Sequence, residues 1–557
     1  MTAQPHIPAD DHVVTLNPIV GMSLEDLGRA GIDVLQAGVS HPMMAAEHLL
    51  RFNRELVKVM LGRAVQEPAS GDRRFQDEGY RSSRLHSRLM QGWLALNATV
   101  NEWVESMGFE GNELERARFV AALVTDAVAP SNFLLGNPAA LRKARESRGA
   151  SLVAGLGNLV NDLRHNNGMP SQVDKSAFTV GTNLAATPGA VIHRSEILEL
   201  IQYQPRTAKQ QSRPVLIVPP QINKYYVYDL SPDKSMVGYL LEQGFQVYMV
   251  PWRNPGREHR SWGLDDYVLA LDEAIDVCRD VSKAPAVNVV GACAGGITLA
   301  TAVAWLAGRD ELNKIASLSL MVNVLQPAVE DSVIGLFASD KSIEAARKKS
   351  ARAGVLDGSD TARVFNWMRA NDLIWNYVSS NYLLGETPPA FDILYWNNDT
   401  TRLPARLHSD FLDIFKDNLL TKRGELEIKG VPIDLKNVTV PAYVTGGTTD
   451  HITPWQACYR TTQLLGGPVN FVLSTAGHIQ SFISPPTSSK RKFFTNPKKP
   501  RSAEIWAKHA QEHKGSWWPH WTQWLRSIDE GEVKAATTLG NASHPPLVPA
   551  PGTYVHE

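Results

Sequence analysis

Residues 284–308, APAVNVVGACAGGITLATAVAWLAG, decide the fold of this chain. They begin with an alternating β-branched run, pass through a glycine-rich turn and continue as an apolar run with helical character. The turn places Cys293 between Gly291 and Gly295, which is the G-x-S-x-G spacing of a nucleophile elbow with cysteine in place of serine. The positions two before and two after the nucleophile must be small because the sharp turn leaves no room for a side chain. The stretch therefore predicts a buried strand, a tight turn that presents a nucleophile, and a buried helix.

Two other interpretations of this stretch remain open from the sequence. The absence of charged residues is typical of a membrane span. However, its Gly and Ala content and the polar Asn288, Thr298 and Thr301 favour a buried strand and helix. Cys293 could also be a structural cysteine in a glycine-rich turn. The predicted helix favours a reactive residue, since a helix N-terminus stabilises a thiolate.

The composition excludes several classes of protein. The chain has 557 residues, with 56 Lys+Arg against 57 Asp+Glu, and the net charge of −1 gives no electrostatic reason to expect nucleic acid or an acidic membrane as a partner. Its three cysteines imply no disulfide framework, and Cys278 and Cys458 fall in helical runs where we expect them in the core. Residues 1–18 lack the pattern of a secretory signal. We therefore expect a protein of the reducing cytosol without a transmembrane segment.

The character of the sequence changes near residues 168–174. Before that point, apolar residues recur at helical spacings. After it, β-rich runs alternate with helical ones, as in a mostly parallel sheet covered on both faces; the runs are 191–201, 214–219, 245–251, 287–290, 317–325, 442–446 and 469–473. The sequence thus predicts a mostly helical N-terminal domain over 1–175 and an α/β domain over 176–557, with a helical, aromatic-rich insertion at about 326–410.

An elbow nucleophile needs a base and an acid that orients it, and in this arrangement the acid precedes the histidine in the chain. Asp450 follows the predicted strand 442–446 and His478 follows the strand 469–473. Both therefore lie at the carboxyl edge, where such sheets build their sites. His451 is the competing base, but the residues after it indicate a helix start, which favours a supporting role in the loop.

Further site residues are predicted from their positions. The backbone N–H of Ala294 should stabilise an oxyanion together with amides of Ile222 and Asn223, in the loop after the strand 214–219. Gln480 and Asn323 lie near strand ends and are expected to support the site or to line an acyl pocket. The sequence has no motif for a metal, nucleotide or flavin cofactor.

Several segments resemble the signature sequences of polyhydroxyalkanoate synthases, also called poly(3-hydroxyalkanoate) polymerases, and the resemblance covers nearly the whole chain. The most specific is FDILYWNNDTTRLP at 391–404; the others are VPPQINKYYVYDLSP (218–232), PWRNP (251–255), GACAGG (291–296), NDLIWNY (371–377), DHITPW (450–455) and AGHIQS (476–481). LNPIVG at 16–21 and PGTYVHE at 551–557 are most similar to the class II enzymes of pseudomonads. Ala294 departs from many relatives, which have Ser there, but only its backbone N–H is expected to matter.

The resemblance implies an α/β-hydrolase fold with a helical lid, preceded by a helical N-terminal domain that supports granule association and dimer formation. It implies polymerisation of (R)-3-hydroxyacyl-CoA thioesters, medium-chain ones for class II, into polyester with release of CoA. Such enzymes work as homodimers at the surface of polyester granules in the cytoplasm. Because CoA is part of the substrate, we expect no separate cofactor and no metal.

The resemblance also assigns roles to the site residues. Cys293 would be the acylated nucleophile, His478 its base and Asp450 the third catalytic residue. Either Asp450 or His478 could activate the 3-hydroxyl group in elongation. The resemblance assigns no role to the basic segment 488–501; it could contact CoA phosphates, but a run of charge of this kind favours a solvated loop. The rival functions are a cysteine thioesterase or polyester depolymerase of the same fold, and a non-catalytic granule-coat protein.

Overall fold

The computed structural model describes residues 19–20, 24–69, 72–327, 338–488 and 490–557. Its N-terminal part is helical, as the sequence predicts, and a small core of Phe75, Tyr80, Met90 and Trp93 lies between its helices. The helices are α1 Leu24–Ser40, α2 Pro42–Met60, α3 Gly79–Ser82, α4 Arg84–Ser106, α5 Gly111–Ala127, α6 Pro138–Glu146 and α7 Ala150–His165.

Strands follow from residue 189 onward. They are β1 Gly189–Arg194, β2 Glu199–Tyr203, β3 Lys209–Gln211, β4 Val215–Val218, β5 Val247–Met249, β6 Val287–Ala292, β7 Ile315–Met321, β8 Val355–Leu356, β9 Leu403–Pro404, β10 Glu427–Ile428, β11 Val431–Pro432, β12 Ala442–Gly447, β13 Val469–Ser474, β14 Lys492–Thr495, β15 Gln511–Lys514, β16 Glu532–Lys534 and β17 Val548–Pro549. The main sheet has the order β15-β14-β13-β12-β7-β6-β4-β5-β2-β1-β17. Its centre, from β13 to β5, is parallel, and the strands on both flanks pair antiparallel.

The remaining helices cover both faces of this sheet and its carboxyl edge. They are α8 Met236–Glu242, α9 Leu264–Ser282, α10 Cys293–Gly308, α11 Asp340–Ala353, α12 Gly358–Met368, α13 Asp392–Asn397, α14 Ala405–Asp417, α15 Trp455–Leu464, α16 His478–Phe482, α17 Ala503–Lys508 and α18 Trp518–Ile528. Val287 and Val289 of β6 pack in one core with α9, α10 and α15, whereas Val290 and Ala292 pack in a second core with α8 and α18. Alternate residues of a strand point to opposite faces, so a strand buried on both sides is apolar throughout.

Residues 284–308 form the predicted strand, turn and helix, because β6 runs directly into α10. Within the described ranges, none of the helices combines the length and the apolar character that crossing a membrane would need.

The structure departs most from the sequence prediction at two places. The run 191–201 is not one strand but the antiparallel hairpin of β1 and β2, in which the amide of Ser195 donates to the carbonyl of Leu198 across the turn. The predicted end of the insertion at about 410 falls inside α14, whose Leu407 and Phe411 are buried in the main core. Helix α14 therefore packs as part of the core.

Between β7 and α14 the described residues form a helical layer over the carboxyl edge of the sheet. It contains α11, α12 and α13 and two π-helical turns, Asn371–Trp375 and Val378–Leu383. We call residues 338–404 the lid. Residues 328–337 of the predicted insertion lie outside the described residues.

Candidate active site

Cys293 lies at the apex of a sharp turn between β6 and α10. Its φ of 48° is in the left-handed region, which a residue with a side chain rarely adopts. The turn also requires its glycines: a Cβ on Gly295 would lie 2.3 Å from the carbonyl oxygen of Pro219, and one on Gly291 would lie 2.8 Å from the Cα of Gly296. The backbone thus presents the Cys293 side chain at the carboxyl edge of the sheet, with the first turn of α10 directly behind it.

Asp450 and His478 lie side by side at the ends of β12 and β13. The Nδ1 of His478 donates to the Oδ2 of Asp450 at 2.8 Å, and both residues are buried. Burial opposes the charge on the imidazole, but the Asp450 carboxylate outweighs it and raises the pKa of His478. Interaction with Cys293 raises this pKa further, and both side chains line the same cavity. The structure therefore brings the three predicted residues together, in the order thiol, imidazole and carboxylate.

Both oxygens of Asp450 are occupied within its own loop. Oδ1 accepts from the amides of Ile452 and Thr453, each at 2.9 Å, and Oδ2 accepts from the hydroxyl of Thr453 at 2.7 Å as well as from His478. Although burial favours the neutral acid, the pKa of Asp450 is lowered by the imidazole and by these donors. Thr453 was not predicted from the sequence; the D-x-x-T spacing of an Asx turn is the signal that could have found it.

A cavity of about 1600 Å³ opens above Cys293 and His478. The lid contributes aromatic side chains to its wall, and the N-terminal helices contribute polar, charged and apolar ones; among them are Phe365, Trp367, Trp375, Phe391 and Trp396 from the lid and Arg74, Tyr80, Arg118 and Phe119 from the N-terminal part. A nucleophile that faces a large, partly apolar cavity can hold a bulky acyl group.

The predicted oxyanion residues lie on both sides of the nucleophile. Ala294 is in the first turn of α10, where backbone amides lack an intrahelical partner. Ile222 and Asn223 follow β4 and line the same cavity as Cys293. This placement fits their predicted role, which remains a prediction.

The loop that carries Ile222 and Asn223 is held by its neighbours, which the sequence did not indicate. Thr401 of the lid donates through its hydroxyl to the carbonyl of Gln221 at 2.5 Å, and its amide donates to the carbonyl of Ile222 at 3.1 Å. The side chain of Gln221 donates to Thr298 of α10 at 2.9 Å. The lid and the elbow helix thus fix the loop between them.

The three supporting residues differ in position. His451 and Gln480 line the cavity, and burial lowers the pKa of His451. Asn323 is fully buried behind the elbow, where its Nδ2 donates to the carbonyl of Cys293 at 2.7 Å. Of the two roles predicted for Asn323, the structure therefore supports the supporting one rather than the pocket-lining one.

The other two cysteines lie in the core. Cys278 and Cys458 are fully buried, and burial raises the pKa of both thiols, which keeps them unreactive. Among the described residues, no group of three or more His, Cys, Asp or Glu side chains could hold a metal ion.

The fold and the site define a protein of the α/β-hydrolase class with a cysteine at the nucleophile elbow. Residues 214–485 match the family "alpha/beta hydrolase fold", and residues 71–240 match "Poly-beta-hydroxybutyrate polymerase (PhaC) N-terminus". The second match crosses residue 175, the boundary that the sequence predicts between the two domains.

Characterised relatives define the family more narrowly. The chain is 48% identical to poly(3-hydroxyalkanoate) polymerase 2 of Ectopseudomonas oleovorans over 99% of this chain and 98% of the relative, and 46% identical to polymerase 1 of that organism over the same shares. It is 40% identical to the polymerase subunit PhaC of Cupriavidus necator, over 89% of this chain and 84% of the relative. The chain therefore belongs to the poly(3-hydroxyalkanoate) polymerase family, which confirms the resemblance seen in its sequence.

Proposed function

We propose that this enzyme polymerises (R)-3-hydroxyacyl-CoA thioesters into polyhydroxyalkanoate with release of CoA, through an acyl-cysteine intermediate. The observation that carries the mechanism is the strained Cys293, which lines one cavity with His478, while the imidazole of His478 is held by Asp450 at 2.8 Å. A thiolate exchanges readily with a thioester because the attacking and leaving atoms are both sulfur.

In the acylation step, His478 takes the proton of the Cys293 thiol and the thiolate attacks the thioester carbonyl. The amide of Ala294, with those of Ile222 and Asn223, stabilises the oxyanion. The carbon–sulfur bond to CoA then breaks, and the departing CoA thiolate takes the proton from His478. The 3-hydroxyacyl group remains on Cys293.

In the elongation step, a 3-hydroxyl group attacks an acyl thioester and loses its proton to a base; the ester bond forms as the carbon–sulfur bond breaks, and the departing thiolate takes the proton from that base. We assign this role to His478, because it lines the cavity together with Cys293. The carboxylate of Asp450 is buried, and both of its oxygens already accept hydrogen bonds from the loop and from His478. Asp450 therefore acts through the imidazole, by fixing its tautomer and its charge.

Water must be kept from the acyl-enzyme, since its attack would release free hydroxy acid. The aromatic lid residues on the cavity wall, such as Trp367 and Trp396, supply the apolar cover. The preference for medium-chain acyl groups follows the resemblance to class II enzymes, and a cavity of this size accommodates them.

The N-terminal helices are the proposed contact with the polyester granule in the cytoplasm and the support for a homodimer. On α2 alone, five large apolar side chains are more than half exposed: Met43, Leu49, Leu50, Val57 and Met60. Exposed apolar surface of this kind marks an interaction site. A granule surface is apolar, and it would cover these side chains without requiring a charged partner.

The test supplies (R)-3-hydroxyacyl-CoA substrates of graded chain length and measures free thiol and product together. We expect thiol release with polymer, fastest for medium chains. Thiol release with free hydroxy acid would instead indicate a thioesterase, and the absence of thiol release would indicate a coat protein. Cys293→Ala should abolish CoA release, whereas Cys458→Ala, at a buried cysteine, should retain it. Full polymerisation by Cys293→Ala would disprove the acyl-cysteine intermediate.

A further inference from the structure

Strand β14 divides the basic segment 488–501 into two groups of cations. Because β14 runs antiparallel to β13, with Phe493 paired to Ser474 and Thr495 to Val472, its start lies at the carboxyl edge of the sheet. Lys490, Arg491 and Lys492 are therefore at the edge that carries His478. Lys498, Lys499 and Arg501 follow the other end of the strand.

The first group is bonded directly to the catalytic loop. The amide of Thr475 donates to the carbonyl of Lys492 at 3.1 Å, and the amide of Lys492 donates back to the Thr475 hydroxyl at 3.2 Å. The Nη1 of Arg491 donates to the carbonyl of Gln480, in the helix that begins at His478, at 2.9 Å. Gln480 lines the cavity, so the guanidinium of Arg491 lies beside the cavity wall.

This group also carries positive charge that the protein does not balance. In the described part of the chain, Lys492 pairs with Glu512, while Lys490 and Arg491 form no ion pair. Arg491 is partly buried, and this burial, with no carboxylate to offset it, lowers the pKa of its guanidinium. By contrast, three of the four arginines that line the cavity are paired: Arg74 with Asp72 and Asp126, Arg118 with Glu105 and Glu115, and Arg369 with Asp372.

We propose that Lys490 and Arg491 bind the phosphate groups of the CoA nucleotide while the thioester lies at Cys293. The proposal rests on the proposed function, which supplies CoA as the leaving group. The nucleotide end of CoA carries a pyrophosphate and a phosphomonoester, and the long pantetheine arm lets them stay outside the cavity. A guanidinium and an ammonium without carboxylate partners are the groups that recognise phosphate.

The test compares two double variants that remove the same charge from the two ends of β14. Lys490→Ala/Arg491→Ala should raise KM for 3-hydroxyacyl-CoA roughly tenfold and leave kcat nearly unchanged, because charge-assisted contacts with phosphate are lost. Lys498→Ala/Lys499→Ala, at the other end of the strand, should leave KM unchanged. For 3-hydroxyacyl-pantetheine, which has no nucleotide, neither variant should change KM.

Further measurements separate this proposal from a structural role and from the proposed function itself. If loss of the Arg491 bond to Gln480 disturbed α16, the enzyme would become slower with both substrates. Arg491→Lys keeps the positive charge, so its KM for the CoA thioester should be close to that of the unmodified enzyme. An equal KM in both double variants, or equal effects on CoA and pantetheine thioesters, would overturn the phosphate site. Absence of thiol release from the unmodified enzyme with either substrate would instead overturn the proposed function.

Discussion

At the scale of single residues, Asp450 separates two mechanisms. In Asp450→Asn the amide would place an N–H group against Nδ1 of His478, so the imidazole proton would move to Nε2 and the base would be lost. We expect the rates of acyl-enzyme formation and of elongation to fall together, by roughly 10³-fold or more. Rapid-quench measurement of the acylated enzyme and of polymer chain growth would report the two steps separately.

A variant at Thr453 is the matched comparison. It removes one hydrogen-bond donor to the Asp450 carboxylate but leaves the carboxylate itself in place. Thr453→Val should slow both steps much less than Asp450→Asn, since Asp450 keeps its backbone donors and His478. If Asp450→Asn acylated at the normal rate and failed only in elongation, Asp450 would be the direct base for the 3-hydroxyl group, and our assignment to His478 would be wrong.

At the scale of elements, the elbow depends on the close approach of α10 to the loop after β4. Gly295→Ala would place a methyl group 2.3 Å from the carbonyl oxygen of Pro219. The helix and the candidate oxyanion loop must then move apart, at a cost of roughly 1–3 kcal/mol in the free energy of unfolding. We expect a lower urea midpoint and a large loss of kcat.

Gly157 in α7 is the control for helix propensity, because a Cβ there meets nothing within 4 Å. Gly157→Ala should leave activity unchanged and raise the free energy of unfolding by at most about 1 kcal/mol. Normal kcat in Gly295→Ala would show that the geometry of the elbow tolerates a larger separation from the loop.

The elbow was predictable because its signals are local: an apolar run, two glycines at a fixed spacing and an apolar helix. Asp450 and His478 were predictable from chain order and strand ends. The contacts of Asn323 with Cys293 and of Thr401 with Gln221 were not, because they join residues far apart in the chain. The first depends on the pairing of β6 with β7, and the second on how the lid packs. A local pattern in the sequence carries no information about such pairs.

The same reason explains the basic segment. In the sequence, 488–501 is one run of positive charge, and its composition alone favours a solvated loop over a binding site. The short strand β14 separates Arg491 from Lys498, and only the pairing with β13 shows which group reaches the catalytic edge. The pairing of β14 with β13 therefore shows which cations of the segment lie near the active site.

At the scale of the whole molecule, the two ends of the described chain return to the α/β core. Strand β17 pairs with β1, and the buried Glu199 accepts from the amides of Thr553 and Tyr554. The sequence predicted the helical region and the α/β region in the right order. The sequence did not indicate the contacts of β17 and of Glu199, because a two-residue strand and a single buried carboxylate leave no periodic signal.

The contact near the start of the chain predicts a pH dependence of stability. His408 of α14 is fully buried; its Nε2 lies 2.7 Å from the carbonyl oxygen of Ile19 and its Nδ1 lies 2.8 Å from the hydroxyl of Ser350 in α11. Burial, with a smaller contribution from the charge of Arg347, lowers the pKa of His408 to about 4. In the unfolded chain the histidine has its ordinary pKa of about 6.5.

Between these two values the unfolded chain binds a proton that the folded chain does not, so the free energy of unfolding falls as pH drops from about 6.5 towards 4. The contribution of His408 is on the order of 3 kcal/mol and is fully present above pH 6.5. Urea unfolding of the wild type and of His408→Gln, whose glutamine does not titrate, measures this contribution. The difference in their free energies of unfolding should be constant above pH 7. Below pH 6 the wild type should lose stability relative to the variant. The same comparison with His165→Gln, at an exposed histidine of α7, controls for the replacement of a histidine by glutamine. A difference that stays constant down to pH 4 would mean that His408 accepts a proton in the folded protein as readily as in the unfolded chain.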